Sequence, residues 1–182
     1  MTEKILILGG ARSGKSGFAL SLASKLARRG NAREEKGLYI ATAKAYDKEM
    51  STRIRLHKAQ RGDSWKTVEE TMDLAKVLNS ISPRCPVIVI DCLTLWLVNI
   101  MLDEGKDFHK TWVRPFLSAL EDVRCPVVMV SNEVGMGIVP DTSLGRDFRD
   151  QAGLLHQELA RVCDQVILVV AGLPLYLKQE GL

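Results

Sequence analysis

Hydrophobic positions follow two alternating spacings along the chain, and this alternation predicts an α/β fold. Short continuous apolar runs are typical of strands buried on both faces of a parallel sheet, and they occur at residues 5–8, 38–41, 87–90, 127–130 and 166–170. Residues 65–68 and 173–178 are predicted as two further short strands. Apolar residues recur at helical spacing in the stretches 16–28, 47–61, 71–80, 94–102, 111–123 and 144–162. We therefore expect right-handed βαβ units and a mostly parallel sheet with helices on both faces.

The end of the chain departs from this pattern. Only Ala171 and Gly172 separate the last two predicted strands, which predicts a hairpin and an antiparallel C-terminal edge. The chain has 182 residues. Since a domain has roughly 150 residues, we expect residues 1–182 to form a single domain.

Composition excludes several classes of protein. Hydrophobic residues are 46% of the chain and charged residues 26%, which excludes a disordered chain or a collagen-like repeat. A net charge of +3 with 5% aromatic residues gives no support to nucleic-acid binding. No apolar stretch reaches the ~20 residues of a membrane-spanning helix, and the first residues do not resemble a signal peptide. The four cysteines lack metal-ligand spacing, so we expect free thiols in the cytoplasm.

The clearest chemical signal is a glycine-rich segment between the first predicted strand and the first predicted helix. It matches G-x-x-x-x-G-K-[ST], in which backbone N–H groups and a helix N-terminus bind phosphate oxygens. Its residues are Gly9, Gly10, Ala11, Arg12, Ser13, Gly14, Lys15 and Ser16. Lys15 is expected to reach the β- and γ-phosphates, and the Ser16 hydroxyl to coordinate Mg²⁺. The segment predicts a nucleoside triphosphate site.

Other predicted nucleotide and metal contacts follow the ends of strands. A P-loop enzyme needs a second acidic group near Mg²⁺ from the end of a neighbouring apolar strand, and Asp91 follows the strand predicted at 87–90. Capping of the next helix is an alternative role for Asp91, compatible with the first. Because ligands gather outside the carboxyl ends of parallel strands, four more residues are predicted to contact the nucleotide, namely Ala41, Thr42, Ala43 and Glu69.

The segment 50–61 contains a histidine among cations, and the residues alone leave two interpretations open. His57 is either a half-buried ring on an apolar helical stripe or a nucleophile. In the second case Arg53, Lys58 and Arg61 disfavour protonation of the ring and bind the phosphates of an incoming nucleotide.

Two further features lie in the second half of the chain. Segment 131–140 contains glycines and follows a predicted strand, which places it at the edge of the sheet where ligands bind. Arg146 and Asp150 lie one helical turn apart, and form either a solvated ion pair or a phosphate clamp. The guanine-reading tetrad Asn-Lys-x-Asp of a small GTPase is absent from the chain, which favours a small-molecule kinase or a nucleotidyltransferase.

Six segments in one order and at one spacing carry a resemblance to a known family: 9–16, 39–42, 53–58, 91–94, 132–140 and 145–153. Together they closely resemble the bifunctional adenosylcobinamide kinase/adenosylcobinamide-phosphate guanylyltransferase family of cobalamin biosynthesis. The resemblance covers about residues 4–178. Many kinases share the P-loop, whereas segment 132–140 combined with the His57 segment is far more specific.

The resemblance implies an enzyme that phosphorylates adenosylcobinamide with ATP or GTP. It then attaches GMP from GTP to adenosylcobinamide phosphate and releases pyrophosphate. The resemblance also implies that His57 carries GMP as a phosphoramidate, that the fold is a recombinase-like P-loop domain, and that the protein is a homotrimer. Two alternatives remain, a small-molecule P-loop kinase without guanylyltransferase activity and a non-enzymatic GTP-dependent switch or scaffold.

Overall fold

The computed structural model describes residues 2–29, 35–44, 64–103 and 107–179. Within these ranges one sheet contains the strands β1 (Lys4–Gly9), β2 (Gly37–Ala41), β3 (Trp65–Glu69), β4 (Ile88–Asp91), β5 (Val127–Asn132), β6 (Gln165–Val170) and β7 (Leu173–Gln179). The helices are α1 (Lys15–Arg29), α2 (Leu74–Asn79), α3 (Leu93–Met101), α4 (Arg114–Asp122) and α5 (Ser143–Val162), and a π-helical turn, His109–Val113, precedes α4. The helix predicted at 47–61 lies outside the described residues.

The sheet confirms the predicted α/β architecture. The strand order is β3-β2-β4-β5-β1-β6-β7. Every strand pair is parallel except β6–β7, which forms the expected antiparallel edge. Because parallel strands all point the same way, the loops that follow β1, β2, β4 and β5 leave the sheet at one edge.

The core lies on both faces of the sheet, which explains the continuous apolar runs. In β1, Leu6 and Leu8 belong to one buried cluster, whereas Ile5 and Ile7 belong to the other. Helix α1 contributes to the Ile5 and Ile7 cluster, and helices α2, α3, α4 and α5 contribute to the opposite one. A strand buried on both faces has no polar position to offer, so its sequence does not alternate.

Helix α2 is shorter than the predicted 71–80 stretch. The Glu70 carboxylate accepts hydrogen bonds from the backbone N–H groups of Met72 and Asp73, at 2.8 and 3.0 Å. The Asp73 carboxylate in turn accepts from the N–H of Lys76 and caps the helix. These side-chain bonds compete with helical hydrogen bonds, so the helix begins only at Leu74.

The helix predicted at 111–123 also differs in detail. Pro115 lies in the first turn of α4 as expected, but the chain already winds helically from His109. The widened turn is closed by the N–H of Arg114, which donates to the carbonyl of His109. Proline has no N–H and its ring crowds the preceding turn, and a wider π-type turn accommodates both constraints.

None of the helices in residues 2–29, 35–44, 64–103 and 107–179 is long and apolar enough to cross a membrane. All four cysteines lie in these ranges and are free thiols, three of them buried and Cys85 half-buried. This agrees with the expectation that they form no disulfide.

Candidate nucleotide-binding site

The glycine-rich segment forms a tight loop between the end of β1 and the start of α1. Arg12 and Gly14 adopt left-handed backbone conformations, with φ of 56° and 92°. The loop closes on itself, because the N–H of Ser13 and the ammonium group of Lys15 both donate to the carbonyl of Gly10, at 3.3 and 3.0 Å. A loop of this shape ahead of a helix N-terminus directs successive N–H groups at an oxyanion.

Backbone hydrogen bonds hold this P-loop on both sides. The carbonyl of Gly9 accepts from the N–H of Glu133, which follows β5, at 3.1 Å. The carbonyl of Ser13 accepts from the N–H of Gly172, in the turn between β6 and β7, at 2.8 Å. The loop is therefore held in shape before any nucleotide arrives, which reduces the entropy lost on binding.

Gly9 is required by packing. A Cβ atom at Gly9 would lie 2.6 Å from both the hydroxyl oxygen of Ser13 and the carbonyl oxygen of Val169. At Gly10 a Cβ atom would meet nothing within 4 Å. The two adjacent glycines therefore play different parts, since only the first lies against a neighbouring strand.

Asp91 lies two strands from the P-loop rather than on an adjacent strand. The sequence predicted a neighbouring strand, but β5 lies between β1 and β4. At roughly 4.8 Å per strand, the separation of β1 from β4 is about 10 Å. The helix-capping alternative is wrong, because Cys92 occupies the N-cap position of α3 and the Asp91 carboxylate accepts from the hydroxyl of Tyr39 instead.

The charge of Asp91 acts on the ammonium group of Lys15. Burial lowers the pKa of the Lys15 ammonium group below its usual value, while the negative charge of Asp91 raises it. Burial also raises the pKa of the neighbouring Cys92 thiol, which keeps that group neutral, so Asp91 is the anion that acts on Lys15. A triphosphate beside Lys15 would stabilise its charged form in the same way.

The residues near the P-loop suit a magnesium ion bound together with nucleotide. Ser16 lies in the first turn of α1, and one oxygen of Asp91, Oδ1, is not used by Tyr39. Among the described residues no three His, Cys, Asp or Glu side chains gather into a metal cluster. Mg²⁺ in nucleotide sites takes one or two protein ligands, with phosphate oxygens and water supplying the rest, so this sparse set fits it. The hydroxyl of Ser13 is buried without a hydrogen-bond partner and leaves another donor in the loop.

The predicted contacts on β2 and β3 lie at the same edge of the sheet but farther along it. Ala41 pairs in register with Asp91 on one side and with Glu69 on the other. Glu69 is exposed on an outer strand four positions from β1, about 19 Å away at the usual strand spacing. Ala43 is half-buried beyond the end of β2. These residues form a strip that continues the P-loop site, and their contacts with nucleotide stay predictions.

Thr42 is fully buried and its side chain is already occupied. Its hydroxyl donates to the carbonyl of Cys92 at 2.7 Å and accepts from the N–H of the same residue at 2.8 Å. The carbonyl of Thr42 accepts from the side-chain amide of Asn99 at 3.1 Å. In this structure Thr42 joins the end of β2 to the start of α3 and so helps to position Asp91.

The predicted nucleophile and its cationic neighbours lie outside the described residues. His57, Arg53, Lys58 and Arg61 all fall in the segment 45–63. That segment connects Lys44, which follows the carboxyl end of β2, to Ser64, which precedes β3.

Sequence reasoning missed His156, which joins a buried polar chain behind the P-loop. Its Nε2 lies 2.7 Å from the hydroxyl oxygen of Ser131, which is 3.2 Å from that of Thr94. The Thr94 hydroxyl oxygen also accepts from the N–H of Asn132 at 2.6 Å. Burial lowers the pKa of His156, opposed by the charge of Glu133. The sequence could have indicated this role, because His156 lies among the apolar positions of α5 that are buried, and a polar side chain buried there needs a hydrogen-bond partner.

Arg146 does not form the predicted ion pair with Asp150. Its guanidinium group donates to the carbonyl oxygens of Pro140 and Asp141, at 3.0 and 2.9 Å. The carboxylate of Asp150 is paired with Arg149 at 3.3 Å instead. Arg146 therefore fastens the end of the loop that follows β5, and its use as a phosphate clamp stays a prediction.

A P-loop after the first strand, a buried lysine and a carboxylate on a nearby parallel strand define a P-loop NTPase-type nucleotide-binding domain. Comparison with protein families narrows this class. The model of the cobinamide kinase / cobinamide phosphate guanyltransferase family matches residues 5–177. The chain belongs to that family, which confirms the resemblance carried by its motifs.

Individual relatives agree over nearly their full length. The bifunctional adenosylcobalamin biosynthesis protein CobP of Pseudomonas aeruginosa is 43% identical, covering 97% of this chain and 98% of the relative. The bifunctional adenosylcobalamin biosynthesis protein CobU of Escherichia coli is 37% identical, covering 96% and 99%. Among solved structures, the flagellar accessory protein FlaH of Methanocaldococcus jannaschii matches with a TM-score of 0.51 over 97% of this chain and 78% of that one. At 14% identity this likeness concerns the fold alone.

Proposed function

We propose that this cobinamide kinase and cobinamide phosphate guanylyltransferase works through a covalent guanylyl group on His57. The two activities are those of the family to which the chain belongs. The kinase activity is supported by the shape of the P-loop. Backbone hydrogen bonds from Glu133 and Gly172 hold this loop, and the ammonium group of Lys15 donates to its Gly10 carbonyl. The proposal of a covalent intermediate rests on the sequence motif around His57.

In the kinase half, the protein mainly binds and positions the reactants. The loop amides and Lys15 hold the triphosphate of ATP or GTP, and Ser16 and Asp91 would hold Mg²⁺, which neutralises phosphate charge when bound. The side-arm hydroxyl of adenosylcobinamide attacks the γ-phosphorus. A new O–P bond forms as the bond to the nucleoside diphosphate breaks, and the hydroxyl proton leaves to solvent. The product is adenosylcobinamide phosphate.

In the guanylyltransferase half, His57 divides one displacement into two. A ring nitrogen attacks the α-phosphorus of GTP, so that an N–P bond forms while the bond to pyrophosphate breaks. Arg53, Lys58 and Arg61 offset the charge that develops on pyrophosphate. A phosphate oxygen of adenosylcobinamide phosphate then attacks the same phosphorus and breaks the N–P bond. The product is adenosylcobinamide-GDP, and the imidazole is regenerated.

Labelling of the protein with [α-³²P]GTP tests this mechanism. We expect His57→Ala to abolish transfer of label to the protein while phosphorylation of adenosylcobinamide by ATP continues. His109→Ala is a matched control, because His109 lies in the π-helical turn and pairs with Glu158 at 3.0 Å. Its label should equal that of the unmodified enzyme. Full labelling of His57→Ala would refute the assignment, and an enzyme that phosphorylates adenosylcobinamide without acquiring label would be a kinase alone.

We further propose that the enzyme is a homotrimer, as the family resemblance implies. An exposed apolar edge supports self-association, since β7 displays Leu173, Leu175, Tyr176 and Leu177 to solvent. An apolar edge strand of this kind is normally covered by another chain. Light scattering should give three times the chain mass of 20.2 kDa, and Leu175→Lys should lower it. A monomeric mass for the unmodified protein would contradict the proposal.

A cytoplasmic location also remains our proposal. It is supported by the four free cysteines, which persist in a reducing compartment. Fractionation of cells that produce the protein should recover the kinase activity in the cytoplasmic fraction. Recovery from the membrane or the periplasm would contradict it.

A further inference from the structure

We propose that the loop after β5 binds the corrin ring of adenosylcobinamide while the side-arm hydroxyl of that substrate reaches the P-loop. The inference rests on the cobinamide kinase function. The binding surface, the corrin surface, consists of the exposed side chains of Met136, Ile138, Val139 and Leu144. The ligand class is a large methylated macrocycle with a rim of polar amides, whose adenosyl group occupies one of its two faces.

The loop that carries the corrin surface begins next to the P-loop. β5 pairs with β1, and Asn132 lies in register with Gly9 at the carboxyl ends of the two strands. The following residue, Glu133, donates its N–H to the carbonyl of Gly9 at 3.1 Å. The loop therefore leaves the sheet one strand away from the phosphate site. A macrocycle on this loop would keep its side arm on the same side as the bound triphosphate.

The side chains of the corrin surface are strongly exposed. Ile138 is 95% exposed and Met136 81%, and Val139 and Leu144 are 57% and 58% exposed. Single exposed apolar residues are common, but four within nine consecutive positions at the edge of a ligand site form a patch. Covering these side chains with the apolar face of a ring removes hydrocarbon from water, which favours binding.

The loop that carries these side chains has a defined shape. The Glu133 carboxylate accepts from the N–H groups of Gly135 and Met136, at 2.7 and 3.1 Å. At the other end, Arg146 holds the carbonyls of Pro140 and Asp141. A loop fastened at both ends displays its apolar side chains in a fixed arrangement. Such an arrangement lowers the entropy lost when a rigid ring binds.

The position of the corrin surface favours substrate over a second copy of the chain. A second exposed apolar region, on β7, lies on the opposite side of β1, since the strand order there is β5-β1-β6-β7. That edge strand offers unpaired backbone groups, as an interface between chains does. The corrin surface instead lies on a loop held by polar side chains, and the start of that loop is bonded to the P-loop through Glu133 and Gly9.

Steady-state kinetics of the kinase reaction test the proposal, with adenosylcobinamide and ATP varied separately. Ile138→Asp and Met136→Gln should each raise the KM for adenosylcobinamide, the former by about tenfold, as expected when one large aliphatic contact with a ligand is lost. The KM for ATP should stay unchanged. Leu102→Asp is the matched control, because Leu102 is an apolar side chain that is 56% exposed just after α3 and lies outside the corrin surface. The KM values of this variant should not change.

Three results would overturn the proposal. The first is an unchanged KM for adenosylcobinamide in both variants, and the second is an equal rise in both KM values, which would mean a distorted P-loop. The third is a lower molecular mass of Ile138→Asp in light scattering, which would assign the surface to contacts between chains. Labelling by [α-³²P]GTP separates this question from the mechanism. If the unmodified enzyme acquires no label, the proposed role of His57 is contradicted, but the KM values still test the corrin surface.

Discussion

The hydroxyl of Tyr39 donates a hydrogen bond of 2.7 Å to Oδ2 of Asp91, from β2 to the end of β4. Tyr39 is buried, and its ring packs edge-on against Trp65 with centroids 6.4 Å apart. The phenol therefore holds the carboxylate in one orientation and leaves Oδ1 for another ligand. Groups that orient a metal-binding carboxylate in this way raise its affinity for the ion.

Tyr39→Phe should weaken the use of Mg²⁺ by the kinase. The substitution keeps the ring packing but removes the hydroxyl that orients Asp91, and loss of such a partner reduces metal affinity by about tenfold or more. Kinase rates measured against Mg²⁺ concentration should shift to higher concentrations by that factor. Tyr176→Phe, on the exposed β7, is the control and should leave the curve in place. Identical curves for Tyr39→Phe and the unmodified enzyme would show that the hydroxyl of Tyr39 does not support the use of the ion through Asp91.

The two adjacent glycines of the P-loop should respond differently to alanine. Gly9→Ala places a Cβ atom 2.6 Å from Ser13 Oγ and the Val169 carbonyl, and overpacking of this kind costs about 1–3 kcal/mol. Gly10→Ala meets no atom within 4 Å, so its free energy of unfolding should stay within about 0.5 kcal/mol of the original. Chemical denaturation of both variants measures the difference. Equal stability of the two variants would mean that β6 does not restrict the space around Gly9.

Lys15→Ala should separate catalysis from folding. Burial disfavours the charged ammonium group, so removing it should leave the fold intact. The charge that develops on the phosphates in the transition state, however, loses the positive charge that stabilises it. We expect kcat for phosphorylation of adenosylcobinamide to fall by about 10²–10³-fold, the usual effect of removing one such group. Lys25→Ala, on the exposed side of α1, is the matched control. Undiminished phosphorylation in Lys15→Ala would remove the P-loop from the kinase step.

His156 should make stability depend on pH. Burial lowers its pKa in the folded protein, so the unfolded chain binds the proton more readily. The free energy of unfolding should therefore fall as the pH decreases through about 6.5, the ordinary histidine value, towards the lower folded pKa. His156→Gln, whose amide reaches the position of Nε2 and can keep the bond to Ser131, should lose this part of the slope.

A second substitution separates the contribution of the His156 hydrogen bond to stability from the contribution of its side-chain packing. His156→Leu leaves the hydroxyl of Ser131 without this partner and should destabilise the protein by about 1–3 kcal/mol at neutral pH. Urea denaturation at several pH values measures both effects. An unchanged pH slope in His156→Gln would contradict the assignment.

Local patterns explain which elements were predictable. The P-loop depends on glycines and a lysine at fixed spacing, and the strands depend on apolar runs that must be buried on both faces, so both are visible without knowledge of the fold. The start of α2 and the π-helical turn were not predicted in detail. They depend on the side chain of Glu70 and on the missing N–H of Pro115, whose effects vary with the surrounding backbone.

The amino-acid sequence by itself determined the class of fold, the phosphate loop and, through its motifs, the family. Only the tertiary structure decided that β5 lies between β1 and β4, that Tyr39 orients Asp91, and that His156 supports Ser131. The physical reason is sequence distance. Helices, strands and the P-loop arise from interactions between near neighbours, whereas these contacts join residues 25 or more positions apart, which only strand order and packing bring together.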